Sequence, residues 1–279
     1  MRIEHALSWA QQELAGTESP VVDARALLSH CLGKTTSYLY TWPEREVSAA
    51  QLTDFKSLVQ QRKNGTPVAY LRGYQEFWSL SLKVSPATLI PRPDTELLVE
   101  KTLEFNTSSA PSICDLGTGT GAIAIALATE LPYSQVVAVD KVAEAVELAK
   151  VNVTLNRTAN VIVKQSDWFA AVGNDTFDII VSNPPYVEPT SDYLAQGDVR
   201  FEPASALTSG VDGLEDIRRI VAKASEHLNS HGMVLIEHGY NQGAAVAEIF
   251  AQHGYTEIVT FKDINALDRI TLGRWHTCE

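Results

Sequence analysis

The chemistry in this chain is concentrated in four consecutive residues, Asn183-Pro184-Pro185-Tyr186, which end the apolar run Phe177-Asp178-Ile179-Ile180-Val181-Ser182. Asn183 offers a side-chain carbonyl, Pro184 a backbone carbonyl with no N–H beside it, and Tyr186 a flat aromatic face. Two acceptors and a stacking surface suit a planar –NH2 group, as in an amide or an exocyclic amine. The competing reading is a Pro-Pro turn that Asn183 merely caps, since both residue types are ordinary in turns.

A second constellation lies upstream. Asp115-Leu116-Gly117-Thr118-Gly119-Thr120-Gly121 closes one apolar run and opens a helical one. Its glycines permit close backbone approach and a helix start presents free N–H groups, so a nucleotide-type cofactor is the natural occupant. The spacing is GxGxG and not the dinucleotide GxGxxG fingerprint. Asp140, 23 residues after Gly117, stands where an acid accepts hydrogen bonds from both hydroxyls of a ribose. Asp167 and Trp168 end a further run, where the acid would accept an adenine amino group and the indole would pack on its ring. A solvated acid and a buried loop tryptophan are the alternatives there.

No GxxxxGK[ST] is present, which leaves nucleotide hydrolysis or kinase chemistry without a phosphate cradle. A nicotinamide cofactor remains compatible with the ribose acid alone. S-adenosylmethionine explains more, because it has a ribose and an adenine but no pyrophosphate, and its positive sulfonium suits an acidic surround. A Ser/His/Asp or Cys/His set at convincing positions is absent.

These residues need a scaffold that gathers strand ends. From residue 112 onward, apolar runs at 113–116, 136–140, 161–165, 177–182, 233–237, 257–261 and 269–275 alternate with helical stretches such as 122–131 and 143–153. That pattern predicts an α/β, Rossmann-like, doubly wound and mainly parallel seven-stranded sheet with helices on both faces. Ligands in such sheets lie outside the carboxyl ends of the strands, so Gly117, Asp140, Asp167 and Asn183 should converge on one crevice.

The first 68 residues read as a helical module. Ser19-Pro20 opens a helix that Gly33 stops, and Ser48 with Gln51 forms a capping box. Tyr38, Tyr40 and Trp42 between them read as core packing, with a partner surface as the alternative. Residues 69–93 alternate apolar and polar and read as a β-hairpin connector, with one strand over 77–84, a turn, and a second strand near 88–93. The expected organisation is a helical substrate-recognition domain over 1–68, the connector over 69–93 and a catalytic domain over 94–279.

Composition narrows the partners. The chain is 45% apolar and 20% charged, with no run approaching a membrane span and an early acid in Met1-Arg2-Ile3-Glu4-His5 where a secretory leader would be apolar. Cys31, Cys114 and Cys278 are widely spaced and form no zinc-binding cluster, so no metal is expected and a reducing, cytoplasmic setting fits. Residues 1–75 carry 8 basic and 7 acidic side chains, whereas residues 76–279 carry 14 and 27. So acidic a body lacks the cationic excess on which nucleic-acid affinity rests, so a nucleic-acid substrate is not expected.

Taken together and in order, these features resemble the S-adenosylmethionine-dependent Rossmann methyltransferases, and within them the HemK/PrmC family of release factor glutamine-N5 methyltransferases. The resemblance rests on the helical module, Thr88-Leu89-Ile90-Pro91-Arg92-Pro93-Asp94-Thr95-Glu96, the 115–121 loop, residues 183–186, and Arg200-Phe201-Glu202-Pro203. It implies that the acceptor is the glutamine of the Gly-Gly-Gln motif in class 1 peptide chain release factors. It also implies cofactor contacts from Gly117, Thr118, Gly119, Thr120, Gly121, Asp140, Trp168 and Asn183, and acceptor contacts from Asn183, Pro184, Pro185 and Tyr186. A sister branch that methylates a ribosomal-protein glutamine shares the acceptor motif, but the 90–96 wording resembles the release-factor branch.

Two rivals stand beside this: an N6-adenine or N4-cytosine methyltransferase, and a noncatalytic S-adenosylmethionine-binding module. Glu237 and His238, at the end of the fifth predicted strand, read as structural. Arg200 and Glu202 order a loop near the acceptor site or form a surface salt bridge.

Overall fold

The computed structural model describes residues 1–276, and its chain forms two compact units, Met1–Tyr74 with Asp192–Phe201 and Gln75–Ser191 with Glu202–Glu279. The first unit holds five helices, α1 (Ile3–Glu13), α2 (Pro20–Leu32), α3 (Thr36–Thr41), α4 (Ala49–Lys63) and α5 (Val68–Arg72). Pro20 starts α2 with its fixed φ, and Gly33 ends it in the left-handed region at φ 60°. The Ser48 hydroxyl accepts from the Gln51 N–H while the Gln51 side chain accepts from the Ser48 N–H, closing the capping box on α4.

These helices bury one apolar cluster that includes Ile3, Leu14, Leu27, Leu28, Phe55 and Val59. Inside the same unit Arg62 is buried and its guanidinium bonds Asp23 at 2.7 Å and also Asp198, which brings the 192–201 segment into this unit. The aromatic trio behaves differently from expectation. Tyr38 packs on the cluster, but Tyr40 and Trp42 are 60% and 42% exposed, each with an arginine, Arg25 or Arg45, over its ring. Their spacing on the short α3 and just beyond it leaves only Leu39 facing fully inward.

Strands β1 (Tyr74–Phe77) and β2 (Leu80–Lys83) form the hairpin. Its turn is at Trp78 and Ser79, with φ 51° and 59°, not after residue 84, and residues 88–92 are not a strand. A two-residue turn with both φ positive normally carries Asn-Gly, so its usual signal was missing. Here Trp78 is held from outside the turn, its N–H donating to the Glu96 carboxylate at 2.7 Å and its indole N–H to Glu130 at 2.8 Å.

A short 3-10 turn, Pro93–Thr95, leads into α6 (Glu96–Phe105). Then follow β3 (Ser112–Leu116), α7 (Ala122–Glu130), β4 (Gln135–Asp140), α8 (Ala143–Asn156), β5 (Val161–Gln165), β6 (Phe177–Ser182), α9 (Glu215–Ala224), β7 (Leu228–Glu237), α10 (Gly243–Gln252), β8 (Thr256–Lys262) and β9 (Asp268–Arg274). The sheet order is β5-β4-β3-β6-β7-β9-β8; β9 runs antiparallel to both of its neighbours and the pairings from β5 to β7 are parallel. All seven expected strands are present.

Strand alternation sends side chains to two separate cores. Ile113, Ile179 and Leu235 join Ile125 and Leu98 on one face, while Leu116, Ile180 and Val234 join Ile217 and Phe250 on the other. Cys31 and Cys114 are free thiols, and Cys278 lies outside the described residues. Among the described residues no group of three His, Cys, Asp or Glu is placed to hold a metal, and no helix is long and apolar enough to cross a membrane.

Candidate active site

The order β4-β3-β6 makes a switch point between β3 and β6, where the chain turns outward in opposite directions. The two strands end in register, Leu116 beside Ser182, and the Ser182 hydroxyl donates to the Leu116 carbonyl at 2.8 Å. The glycine loop and the Asn183 turn therefore leave the sheet side by side. A cavity opens there, lined by Gly117, Thr118, Gly119, Thr120, Asp140, Asp167, Trp168, Asn183 and Pro185 together with Thr88, Arg92 and Thr95. Gly121, Pro184 and Tyr186 are not among its lining residues.

Gly117 and Gly119 adopt φ 70° and 54°, and a Cβ on Gly117 would stand 3.3 Å from the Trp168 ring. Bare backbone is thus what lets the indole pack close against the loop. Asp140 is oriented by this loop: its Oδ2 accepts from the Gly119 N–H and its Oδ1 from the Val142 N–H, each at 2.9 Å. A carboxylate so held retains lone pairs on both oxygens for two further donors. Asp115 is a different acid. Fully buried, it accepts from the Thr118 hydroxyl at 2.6 Å and the Ala124 N–H, and burial pushes its pKa up to about 7.

Trp168 sits at φ 50°, a region costly for a residue with a Cβ. The Ser166 hydroxyl maintains that turn, donating to the Trp168 carbonyl at 2.7 Å and accepting from the Ala171 N–H at 2.8 Å. Asp167 lies in the lining but is largely exposed, with Arg219 at 3.5 Å.

At the other lip, the Asn183 side-chain amide donates through Nδ2 to the Thr95 hydroxyl at 3.1 Å, which leaves its carbonyl Oδ1 as an acceptor. Tyr186 is fixed at three points. Its hydroxyl donates to Glu237 Oε1 at 3.2 Å, its carbonyl accepts from Gln242 Nε2 at 3.0 Å, and its N–H donates to the Leu207 carbonyl at 3.1 Å. Burial pushes the Glu237 carboxyl up to about 7, against the Thr95 and Tyr186 hydroxyls and the Arg269 charge, which favour its ionised form.

His238, by contrast, is fully buried, with Nε2 bonded to the Thr271 hydroxyl at 2.9 Å and Nδ1 to the Gly239 carbonyl; burial lowers its pKa. Arg92 pairs with the buried Glu202 carboxylate, and Arg200 stacks over Phe201.

Sequence reasoning did not single out Thr95 or Gln242, and it took Glu237 as structural. The signal for Glu237 was present, because an acid directly after the apolar 233–236 run is the same pattern that pointed to Asp140.

The donor set fits S-adenosylmethionine. Asp140 presents two oxygens to a pair of hydroxyls, the loop offers backbone unobstructed by Cβ atoms, and Trp168 offers a ring face at the same cavity. Fold and site together define an S-adenosylmethionine-dependent methyltransferase of the Rossmann type. The family described as "PrmC N-terminal domain" matches residues 5–73 and that described as "Methyltransferase small domain" matches residues 93–260. The release factor glutamine methyltransferase of Aliivibrio fischeri is 50% identical over 263 residues, covering 94% of this chain and 93% of its own. That of Pseudomonas aeruginosa is also 50% identical over 263 residues, covering 94% and 95%. Among solved structures, a methyltransferase from Pyrococcus furiosus shares the fold with a TM-score of 0.54 at 20% identity, covering 81% of this chain and all of that one. The chain belongs to the release factor glutamine methyltransferase family.

Proposed function

We propose that this enzyme methylates the side-chain amide nitrogen, N5, of the glutamine in the Gly-Gly-Gln motif of class 1 peptide chain release factors, in the cytoplasm. The observation that carries the reading is the commitment of Asn183 Nδ2 to Thr95, which turns Oδ1 into an acceptor at the cavity that the glycine loop also lines. Curated relatives at 50% identity that carry the name release factor glutamine methyltransferase support the choice of substrate.

An amide nitrogen is a poor nucleophile because its lone pair is delocalised into the carbonyl. Asn183 Oδ1 and the Pro184 carbonyl each accept one N–H of the glutamine amide, which aims the nitrogen lone pair along the line of attack. The same two dipoles stabilise the positive charge that grows on nitrogen. Tyr186 presents its ring to the amide plane. Asp140 would hold the ribose hydroxyls, the loop from Gly117 to Gly121 would offer its backbone to the cofactor, and Asp167 with Trp168 would take the adenine. When bound, S-adenosylmethionine supplies an electrophilic methyl group on its sulfonium. The proton lost by nitrogen leaves after transfer, when it is far more acidic, so no dedicated strong base is required.

Incubation with labelled S-adenosylmethionine and purified release factor, large-subunit ribosomal protein or DNA tests the assignment. Label on the release factor, mapped by mass to the glutamine of Gly-Gly-Gln, is expected. Label on either other substrate instead overturns it.

A further inference from the structure

Two side chains of the acceptor turn are tied to one carboxylate. The Tyr186 hydroxyl donates to Glu237 Oε1 at 3.2 Å. The Thr95 hydroxyl faces the same carboxyl group and favours its ionised form, Glu237 Oε2 is buried with no hydrogen-bond partner, and the Thr95 oxygen accepts from Asn183 Nδ2 at 3.1 Å. Each hydroxyl has one proton to give, so Thr95 can accept from Asn183 and donate to Glu237 at once. Glu237 is 2% exposed and Thr95 4%, so water does not compete for these bonds.

We infer that Glu237 is a positioning residue for methyl transfer: through Tyr186 directly, and through Thr95 onto Asn183, its carboxylate holds both acceptor-facing side chains in register with the glutamine amide. The inference rests on the methyltransferase reading of this cavity and adds to it a residue at the end of β7, one strand beyond the acceptor turn. Without an acceptor at Glu237, the Thr95 proton loses its partner. The hydroxyl then rotates, Asn183 Nδ2 loses a fixed oxygen, and the amide is free to turn its –NH2 toward the substrate. An Asn183 so reversed presents donors to a group that itself has only donors to offer, which is a repulsive contact.

Burial favours the neutral acid at Glu237 and holds its carboxyl at about 7, so the carboxylate is the main form only above neutrality. Arg269 on β9 attracts it, the two hydroxyls donate to it, and Asp94, in the turn before α6, opposes it. Arg269 is itself shared with Asp263 at 3.1 Å and Asp94 at 3.7 Å, so it balances the cluster without closing on Glu237.

The test compares wild type, Glu237→Leu, Glu237→Gln, Thr95→Val and Thr95→Ser with purified release factor as acceptor. Glu237→Leu, which removes the acceptor, and Thr95→Val are expected to lower kcat about 10- to 100-fold, the scale of a misplaced reactive group, whereas Glu237→Gln, which keeps a carbonyl acceptor, should lose less. Cofactor Kd by calorimetry and KM for release factor should stay within about threefold. Thr95→Ser should retain most of the activity, because it keeps the hydroxyl. The acid limb of the wild-type kcat profile near neutrality should be lost in Glu237→Gln.

Wild-type kcat in both Glu237→Leu and Thr95→Val overturns the inference, as does a loss of cofactor affinity that matches the loss of kcat. Thermal melts establish that each variant is folded; if Glu237→Leu is not, the contrast between Thr95→Ser and Thr95→Val carries the test. Wild type that transfers no methyl to release factor overturns the substrate assignment, and is read before any variant.

Discussion

Asn183 and Thr95, 88 residues apart in the chain, meet at 3.1 Å in a bond that decides which end of the asparagine amide is left free at the cavity. Because Nδ2 is occupied, the free atom is a carbonyl, and a carbonyl suits the –NH2 end of a primary amide, which brings only N–H donors. Asn183→Ala should therefore lower kcat about 100- to 1000-fold, the usual scale for losing one preorganised dipole. Cofactor Kd should rise less than about tenfold. A labelled-methyl assay alongside calorimetry separates the two, and equal turnover by the variant would sink the assignment.

Asp140 orients the glycine loop, its two oxygens accepting from Gly119 and Val142, and in the proposed function it also holds the cofactor ribose. Its removal costs the ribose contacts and also frees two backbone N–H groups, each hydrogen bond to a charge contributing about 1.5–3 kcal/mol. Asp140→Ala should weaken cofactor binding at least about tenfold, with a smaller change in kcat at saturating cofactor. Unchanged affinity by calorimetry would count against the ribose role.

Gly213 stands behind the acceptor turn at φ 74°, and a Cβ there would fall 2.2 Å from the Tyr186 carbonyl. Gly213→Ala must push on the backbone of the turn itself, and it places a Cβ in the left-handed region at a cost of about 1–2 kcal/mol. We expect a melting temperature lower by several degrees and a loss of activity greater than the loss of folded protein explains. Differential scanning calorimetry with single-turnover rates on the same samples provides the check.

The carboxyl of Glu237, raised from 4.5 to about 7, makes stability depend on pH. The folded state binds this proton more tightly than the unfolded state, so the associated stability is fully present below about pH 4.5 and is lost as pH rises through about 7. The fully buried Asp115, also near 7, acts in the same direction. Glu237→Gln removes one of these two contributions. Relative to wild type, that variant should gain about 3 kcal/mol between pH 4 and pH 8, an order-of-magnitude figure from the shift. Denaturant melts at the two pH values measure it, and parallel curves would show that Glu237 is not the titrating group.

What the sequence made legible was local. The glycine loop, Asp140 and the Asn183 turn each announce themselves by a few residues beside an apolar run, and the sheet order places those runs together. The contacts that orient them were not legible, because they cross the chain. Thr95 reaches Asn183 over 88 residues, Tyr186 reaches Glu237 over 51, and Gln242 reaches Tyr186 over 56. The hairpin turn was misplaced for a related reason: of the two positive-φ residues Trp78 and Ser79, Trp78 is held by bonds to Glu96 and Glu130, partners outside the turn, and neither is a residue type that signals such a turn. Tyr40 and Trp42 were read inward because aromatic residues usually are, yet guanidinium groups cover their rings at the surface.

The ion triad around Arg62 bears on the order in which this protein can be finished. Asp23 precedes Arg62 by 39 residues, but Asp198 follows it by 136. During synthesis the helical unit leaves the ribosome first with its guanidinium matched to one carboxylate, and the second arrives on the order of ten seconds later at about 5–20 residues per second. The segment that opens the chain is thus completed by one made well after it. A shortened chain ending at Tyr74 would keep the residues of α1 to α5 and the Asp23 carboxylate, and lose the second carboxylate on Arg62.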